Sequence, residues 1–354
     1  MVLVPNERSP RPLSRRRLLR AATAAGVATS TGLARAEDKP TLVSTIFGGV
    51  YEAAYRKNFV TPFCADNNAD MVLKYGTSGE WVANALVNRA NPEIDVLFLA
   101  YPDSIRAVNA GLGVELTPAE VPHVADLPPV WYDNYKKQAV GIDYGSWGIC
   151  YRTDSGVAAP TSWLDLFRPE YKGRLILPNL TSSGGFQTLV MMARLHGGSE
   201  TNIGPGFEAM KKLKPNVRKF YVSNSEAAQL MGRGDGIVAG MYDNVAWPLA
   251  DGGTPVRWIV PKEGVMVGMV SLHVVPNGKH MPLAKKFVDY VISPGPQAAF
   301  CDQINAGPVN RLAKLSEPAL SRVPKLESII APDWFAIVEQ MSDWIDRWNR
   351  EIVG

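Results

Sequence analysis

The chain has 354 residues, 46% hydrophobic and 20% charged, with three cysteines and a formal net charge of +3. That length suits about two domains of roughly 150 residues each, and the apolar fraction excludes wholesale disorder. No run approaches the roughly 20 apolar residues of a membrane-spanning helix, and three cysteines cannot build a disulfide framework.

The basicity is confined to one end. Residues 1–36 hold seven arginines against a single acid, Glu7, so the remaining 318 residues carry 30 basic and 33 acidic groups, a charge of −3. Ser14-Arg15-Arg16-Arg17-Leu18-Leu19-Arg20 precedes a weakly apolar run, Ala21 to Ala28. Ala34-Arg35-Ala36 then offers a small-x-small cleavage site before Glu37. Basic, apolar and cleavage regions in that order make a secretory signal. The arginines with Leu-Leu-Arg resemble the twin-arginine motif S-R-R-x-(F/L)-L-K. Residues 1–36 are therefore expected to be an export signal cut between Ala36 and Glu37, and the destination a bacterial periplasm. The alternative is a basic arm that binds nucleic acid; the cleavage site and the acidic body weigh against it.

Strands and helices then alternate. Thr41–Phe47 is β-rich and ends at Gly48-Gly49. Helix is expected from Val50 to about Phe59, ended by Pro62. Asp70–Tyr75 reads as strand, Gly76–Gly79 as turn, Glu80–Arg89 as helix, Ile94–Leu99 as strand and Ser104–Ala110 as helix. Gly111 to Tyr135 is a proline-rich loop. A second set has strands at Trp147–Tyr151, Gly173–Leu177, Lys219–Val222, Gly236–Gly240, Val256–Val260 and Val270–Val275. Its helices begin near Ser162, Ser183 and Ser223, two of them with capping-box spacing. At the end, Trp334, Val338, Met341, Ile345, Trp348 and Ile352 form one apolar helix face, best explained by packing. Repeated β-turn-α units predict mostly parallel sheets flanked by helices. Two such units without a Gly/Ser linker suggest two lobes that the chain crosses more than once, with ligands beyond the strand ends and hinge closure around a solute.

Catalytic constellations are missing. His123, His196, His273 and His280 form no H-E-x-x-H or other zinc spacing. Cys64, Cys150 and Cys301 form no C-x-x-C, and buried apolar thiols are expected, with one disulfide left open. Gly76-Thr-Ser-Gly-Glu80 breaks G-x-S-x-G at its last position. No phosphate loop is present, since Gly232-Arg-Gly-Asp-Gly236 leads into a strand. No cofactor and no metal are expected. Two strand-to-helix turns invite an anionic group: Gly76-Thr77-Ser78-Gly79-Glu80 and Asn179-Leu-Thr181-Ser182-Ser183-Gly184-Gly185 offer hydroxyls and unhindered N–H groups at helix starts. Ordinary capping is the alternative, since Thr77 and Glu80 alone make a capping box.

Several motifs carry a resemblance. Pro160-Thr-Ser-Trp163-Leu-Asp-Leu-Phe167-Arg-Pro-Glu-Tyr171-Lys-Gly173-Arg-Leu-Ile-Leu177 resembles the P-x-S-W-x-D-L-x-x-P-x-Y-K-G-x-L segment of bacterial extracellular solute-binding proteins. Val260-Pro-Lys-Glu-Gly264, the Pro282–Tyr290 helix and Gly307-Pro-Val-Asn310 are similar to later motifs of that family, in the same order. The group includes spermidine/putrescine-, thiamine-, ferric-ion- and phosphonate-type binders of ABC importers. The resemblance implies an α/β, two-lobed type II periplasmic-binding-protein fold, each lobe a mixed, mostly parallel sheet flanked by helices and hinged around a central cleft. It implies residues 37–146 plus 270–313 in lobe 1 and 147–269 plus 314–354 in lobe 2. The implied partners are a small-molecule solute and inner-membrane permease subunits, with no nucleic acid, and the expected state is a monomer.

The pattern departs from polyamine binders. Where they carry Trp-x-Asp after P-K-E-G, this chain has Gly268-Met-Val270, and Thr181-Ser-Ser-Gly184 replaces acids after the K-G-x-L strand. Ferric-ion binders use paired tyrosines, and no Tyr-Tyr occurs here. A small organic acid or zwitterion is therefore expected, with Thr77, Ser78, Ser182, Ser183 and Gly184 at its anionic end and Asp243 against an amine. Tyr51, Tyr101, Tyr144 and Trp147, near strand ends or the crossing, complete the expected site with Gly49, Gly79, Thr181, Tyr242 and Trp247. A polyamine- or thiamine-type cation binder of the same fold, and a periplasmic enzyme on a two-lobed scaffold, are the alternatives.

Overall fold

The structure is a computed structural model that describes residues 39–182 and 184–354. The export segment, the Ala36/Glu37 cleavage site and Ser183 lie outside the described residues. The β-rich run after Lys39 forms β1 (Thr41–Ile46), followed by α1 (Val50–Tyr55), a wide π turn over Arg56–Val60, and α2 (Thr61–Asn67). Pro62 does not end this helix. It sits in the first turn of α2, where its missing N–H is tolerated, and the wide turn before it separates the two segments. Next come β2 (Asp70–Tyr75), α3 (Ser78–Val87), β3 (Val96–Ala100) and α4 (Asp103–Asn109). The proline-rich stretch is crossed by short 3-10 turns before β4 (Val140–Arg152).

The later chain supplies β5 (Leu175–Pro178), α5 (Gly185–Leu195), α6 (Gly204–Leu213), β6 (Val217–Tyr221), α7 (Asn224–Arg233), β7 (Val238–Tyr242), α8 (Asp243–Asp251), β8 (Val256–Ile259) and β9 (Val265–Val274). It closes with α9 (Met281–Val291), α10 (Pro294–Ile304), α11 (Glu317–Leu320), β10 (Ile329–Ile330) and α12 (Trp334–Trp348). The expected strands at 147 and 270 are only halves of two long ones: β4 runs 13 residues and β9 runs 10. Glycines at 141, 145, 148 and 268 interrupt the β-branched pattern that marks strand residues, which is why sequence alone shortens both. The helices α6 and α10 went unpredicted because each opens on Gly and Pro residues that read as loop.

The strands join in the order β2-β1-β3-β9-β4-β7-β5-β6, with β8 on β4 and β10 on β9. The pairs β1·β2, β1·β3, β5·β6 and β5·β7 are parallel, as the strand-turn-helix repeats require. The long strands β4 and β9 are antiparallel to each other and connect the two parallel groups. β9 pairs with β3 from Val270 to Val274. β4 takes β7 as a partner from Trp147 onward. One apolar core follows this arrangement through both groups and includes the fully buried Trp147, Trp163 and Trp348. In the last helix Trp334, Ile337, Trp344 and Trp348 are buried, while Val338, Met341 and Ile345 are half-buried. Each such buried side chain contributes about 1.5–3 kcal/mol. All three cysteines are free thiols, Cys150 and Cys301 buried. Among the described residues no helix is long and apolar enough to cross a membrane.

Candidate functional site

The ends of β3, β5 and β7, with the central strands β4 and β9, surround a cavity of about 390 Å3. That size suits a small organic molecule. From the β1 side come Phe47 and Tyr51; from the end of β3, Ala100, Tyr101 and Pro102. The strands β4 and β9 supply Asp143, Gly145, Gly268, Met269 and Val270. The loop after β5 and the start of α5 give Thr181, Ser182, Gly184, Phe186 and Gln187. Asn224, Tyr242, Asn244 and Trp334 complete the wall. Among the described residues no Lys, Arg or His lines it.

Asp143 is the charged group of this wall. β4 carries a bulge between Gly141 and Asp143 opposite Ser271 and Val270. A bulge re-aims the side chain beside it. The carboxylate is 1% exposed, and its Oδ2 accepts a 2.9 Å hydrogen bond from the Tyr51 hydroxyl. Burial pushes its pKa up to about 7, opposed by that hydroxyl and by the Val270 N–H. Asp243, the first residue of α8, lies behind the wall and is also 1% exposed. Its Oδ1 accepts from the N–H groups of Ser146 (3.0 Å) and Asn244 (2.7 Å). Burial raises it to about 7 too, against those N–H donors, with a smaller upward push from Asp143.

Aromatic rings shape the rest. Tyr101 stacks on Tyr135 at 5.7 Å and on Trp334 at 4.8 Å, both at 15°. Tyr242 crosses Trp147 edge-on at 5.0 Å, and its hydroxyl accepts from Gln187 Nε2 at 2.7 Å. Gly268 makes room for that phenol, since a β-carbon there would stand 2.2 Å from the Tyr242 oxygen. On the opposite side Thr181 and Ser182 turn their hydroxyl protons back to Asn179, at 3.3 and 2.9 Å. Among the described residues the α5 N-terminus has no side-chain cap, and the Gly185 N–H donates to the Ser182 carbonyl at 2.9 Å.

Of the residues expected from sequence, Tyr51, Tyr101, Thr181, Ser182, Gly184 and Tyr242 line this cavity. Eight others do not line it. Thr77 and Glu80 form the reciprocal capping box of α3. Ser78 is buried and accepts from the Ala100 N–H at 3.1 Å. Gly79 faces the Asp103 carboxylate, which is paired with Arg106 at 3.0 Å. Gly49 is exposed at the start of α1 with nothing packed on it. Tyr144 stacks on Trp131 at 5.1 Å in the core. Trp147 is fully buried under Gly184. Trp247 lies between Trp258 and the Arg322 guanidinium. Asp243 sits just behind Gly145, whose β-carbon would come 3.7 Å from its Oδ1.

Sequence reading overlooked Asp143, Phe47, Gln187, Asn224, Asn244 and Trp334. A signal for Asp143 existed, because a lone acid inside Val140–Trp147 is unusual in a buried strand. Trp334 offered none, being one more member of an apolar helix face. The histidines stay outside the site. His123 pairs with Asp289 at 3.0 Å, His196 Nδ1 lies 2.8 Å from the Met192 carbonyl, and His280 precedes α9. His273 is fully buried among Ser104 and Ser271, 3.0 Å from each hydroxyl. No cluster among the described residues could hold a metal ion.

The sequence profile of the family described as bacterial extracellular solute-binding protein matches residues 100–340. The chain is 29% identical over 185 residues to the spermidine/putrescine-binding periplasmic protein of Escherichia coli K12, covering 49% of this chain and 51% of that one. It thus spans about half the length of these spermidine/putrescine-binding relatives. The gamma-aminobutyric acid-binding protein of Pseudomonas aeruginosa is 23% identical over 322 residues, covering 85% of this chain and 89% of that one. A crystal structure of an extracellular solute-binding protein from Bordetella parapertussis superposes with a TM-score of 0.82 at 27% identity, over 88% of this chain and 98% of that one.

Proposed function

The chain belongs to the bacterial extracellular solute-binding protein family, and from that premise we propose that it is the periplasmic solute-binding component of an ABC importer and captures a small ammonium-bearing zwitterion. The observation that carries the ligand class is Asp143: a buried carboxylate in a cavity wall with no basic side chain among the described residues. A purely anionic solute would bring a second negative charge beside it without a counter-ion, which is costly at low dielectric. An ammonium group against Asp143, with aromatic rings around it, is favoured by charge and by ring quadrupoles. The solute's carboxylate would then face the first turn of α5, the end of the helix whose dipole favours negative charge. The gamma-aminobutyric acid-binding relative supports this class. A diamine is the second reading, favoured by Asp243 behind Asp143 and by the spermidine/putrescine-binding relatives.

Capture is proposed to use hinge closure of residues 37–146 plus 270–313 against 147–269 plus 314–354. The change of strand partners at Trp147 and Val270 supports those boundaries. The partners are permease subunits, the protein acts as a monomer, and it returns its ligand unchanged. Export is by the twin-arginine route, on residues 1–36. A thermal-shift screen of the mature protein tests the ligand class, because a ligand of the native state raises its stability. The set is 4-aminobutyrate and other amino acids, putrescine, spermidine, thiamine, phosphonates and dicarboxylates. Stabilisation by amino-carboxylates is the expected result; a response to dicarboxylates alone, or to polyamines alone, refutes the zwitterion.

A further inference from the structure

We propose that the cavity is a proton-for-cation exchange site: the Asp143–Asp243 pair holds a proton before the solute arrives, and an incoming ammonium group displaces it to solvent. This rests on the ammonium-binding reading above and adds a regulation of that site.

Both carboxyl groups are 1% exposed. They are held on one short segment of backbone: Asp143 is on β4, and Asp243 is anchored three residues later by the Ser146 N–H, beside Gly145. Neither takes part in any described ion pair, although seventeen such pairs occur among the described residues. The titratable groups that face them are Tyr51 from α1, Cys301 from α10, Tyr144 from β4 and Tyr242 from β7. All four are neutral at neutral pH, raised further by burial, and none can serve as a counter-cation. The remaining donors are the Tyr51 hydroxyl and the N–H groups of Val270, Ser146 and Asn244. Two buried carboxylates without a cation repel each other and lose hydration, so protonating the pair relieves both costs. Burial pushes both groups up to about 7, and the Asp143 charge adds a smaller upward push on Asp243.

The balance is simple. Before binding, the carboxylic acid of the pair carries the proton. On binding, that O–H bond breaks, the proton passes to buffer, and the ammonium N–H groups donate to the freed carboxylate. No covalent bond to the solute forms. The amine keeps its charge throughout, its ordinary pKa lying near 10.

Isothermal titration of the mature protein with 4-aminobutyrate and, separately, putrescine in buffers of different ionisation enthalpy counts the protons. At pH 6 about one proton should leave per ammonium-bearing ligand bound, falling toward zero at pH 9. The dissociation constant should drop about tenfold per pH unit from pH 5 to 6 and level off above pH 8. Asp243→Asn should cut the proton count at pH 7 and move the pH dependence downward, because Asp143 then loses a like-charged neighbour. Binding whose heat is independent of buffer at pH 6, with a constant dissociation constant from pH 5 to 8, overturns the exchange and leaves the ammonium reading standing. Absence of binding by either amine overturns both. The wild-type measurement decides the matter even if the variant does not fold.

Discussion

The α-carbon of Gly184 rests on the indole of Trp147: a β-carbon at position 184 would stand 2.1 Å from the ring's Cζ3. The backbone there is left-handed, with φ +87°, and it caps α5. One position thus needs glycine twice, for conformation and for clearance, at the point where the Thr181–Gly184 turn meets the cavity floor. Gly184→Ala should destabilise the protein by about 2–4 kcal/mol, the sum of left-handed strain and overpacking. In a Trp147→Leu background the same change should cost less, since the two changes share one contact. Urea unfolding of both single variants and the double variant measures the coupling. Strict additivity would mean that the clash is absorbed elsewhere.

Tyr51 is the side-chain donor to Asp143. Tyr51→Phe keeps the ring's edge contacts with Phe47, Phe98 and Phe300 and removes only the hydroxyl. A hydrogen bond to a charged group is worth about 1.5–3 kcal/mol, and its loss favours the protonated acid. The expected outcome is a roughly tenfold weaker affinity for 4-aminobutyrate at pH 7 and a smaller loss at pH 9, where the carboxylate forms anyway. Titration calorimetry at the two pH values checks this. An equal loss at both would assign Tyr51 a direct contact with solute instead.

The parts of this arrangement that were legible in the sequence are those set by local chemistry. The capping residues Thr77 and Ser223, the strand runs at 41–46 and 70–75, and the Gly184 turn each follow from their neighbours. Of the aromatic residues expected near strand ends or the crossing, Tyr51 and Tyr101 line the cavity, whereas Tyr144 and Trp147 pack into the core. The missed residues depend on long-range placement. Asp143 reaches the cavity through a bulge set by the register of β4 on β9, which no local pattern records. Trp334 reaches it because α12 packs back across the chain onto Tyr101, over 230 residues away. The two hydroxyl-rich turns look alike in sequence, and tertiary surroundings separate them. One faces the cavity, and the other faces Asp103 and the end of β3.

His273 and the two buried acids should pull stability in opposite directions with pH. Burial lowers His273 from 6.5 to about 3, so the unfolded chain binds its proton more readily. The stability tied to this group is present above pH 6.5 and is lost as the pH falls toward 3. Asp143 and Asp243 are raised from 3.8 to about 7, so the folded chain binds their protons more readily. Their contribution is fully present below about pH 4 and is lost as the pH rises through 7. Two acids against one histidine predict a ligand-free protein more stable at pH 5.5 than at pH 8. The slope is at most about 1.4 kcal/mol per pH unit for each net proton. His273→Gln, which keeps a polar group toward Ser104 and Ser271, should steepen the gain on acidification between pH 6.5 and 5. Urea midpoints across pH 5–8 decide it, and an unchanged profile in the variant would remove His273 from the balance.

Trp334 ties the cavity wall to the last helix. Tyr135, Tyr101 and Trp334 form one stacked column, and Tyr135 in turn meets His273 edge-on at 6.2 Å. Asp333 fixes the column's outer end by accepting from the N–H groups of Phe335 and Ala336 at 3.0 and 3.1 Å, which starts α12 at Trp334. Each stacked pair is worth about 0.5–1.5 kcal/mol beyond its buried area, so Trp334 adds to the hold that Tyr135 has on the Tyr101 ring. Trp334→Ala should weaken 4-aminobutyrate binding by about tenfold or more and lower stability by about 3 kcal/mol. Trp334→Phe keeps a ring over Tyr101 and should recover most of the affinity, because the indole N–H is buried and has no hydrogen-bond partner among the described residues. Affinity and melting temperature measured together on both variants separate the roles. If Phe restores stability but not affinity, the solute reads the indole itself, and the column is scaffolding only.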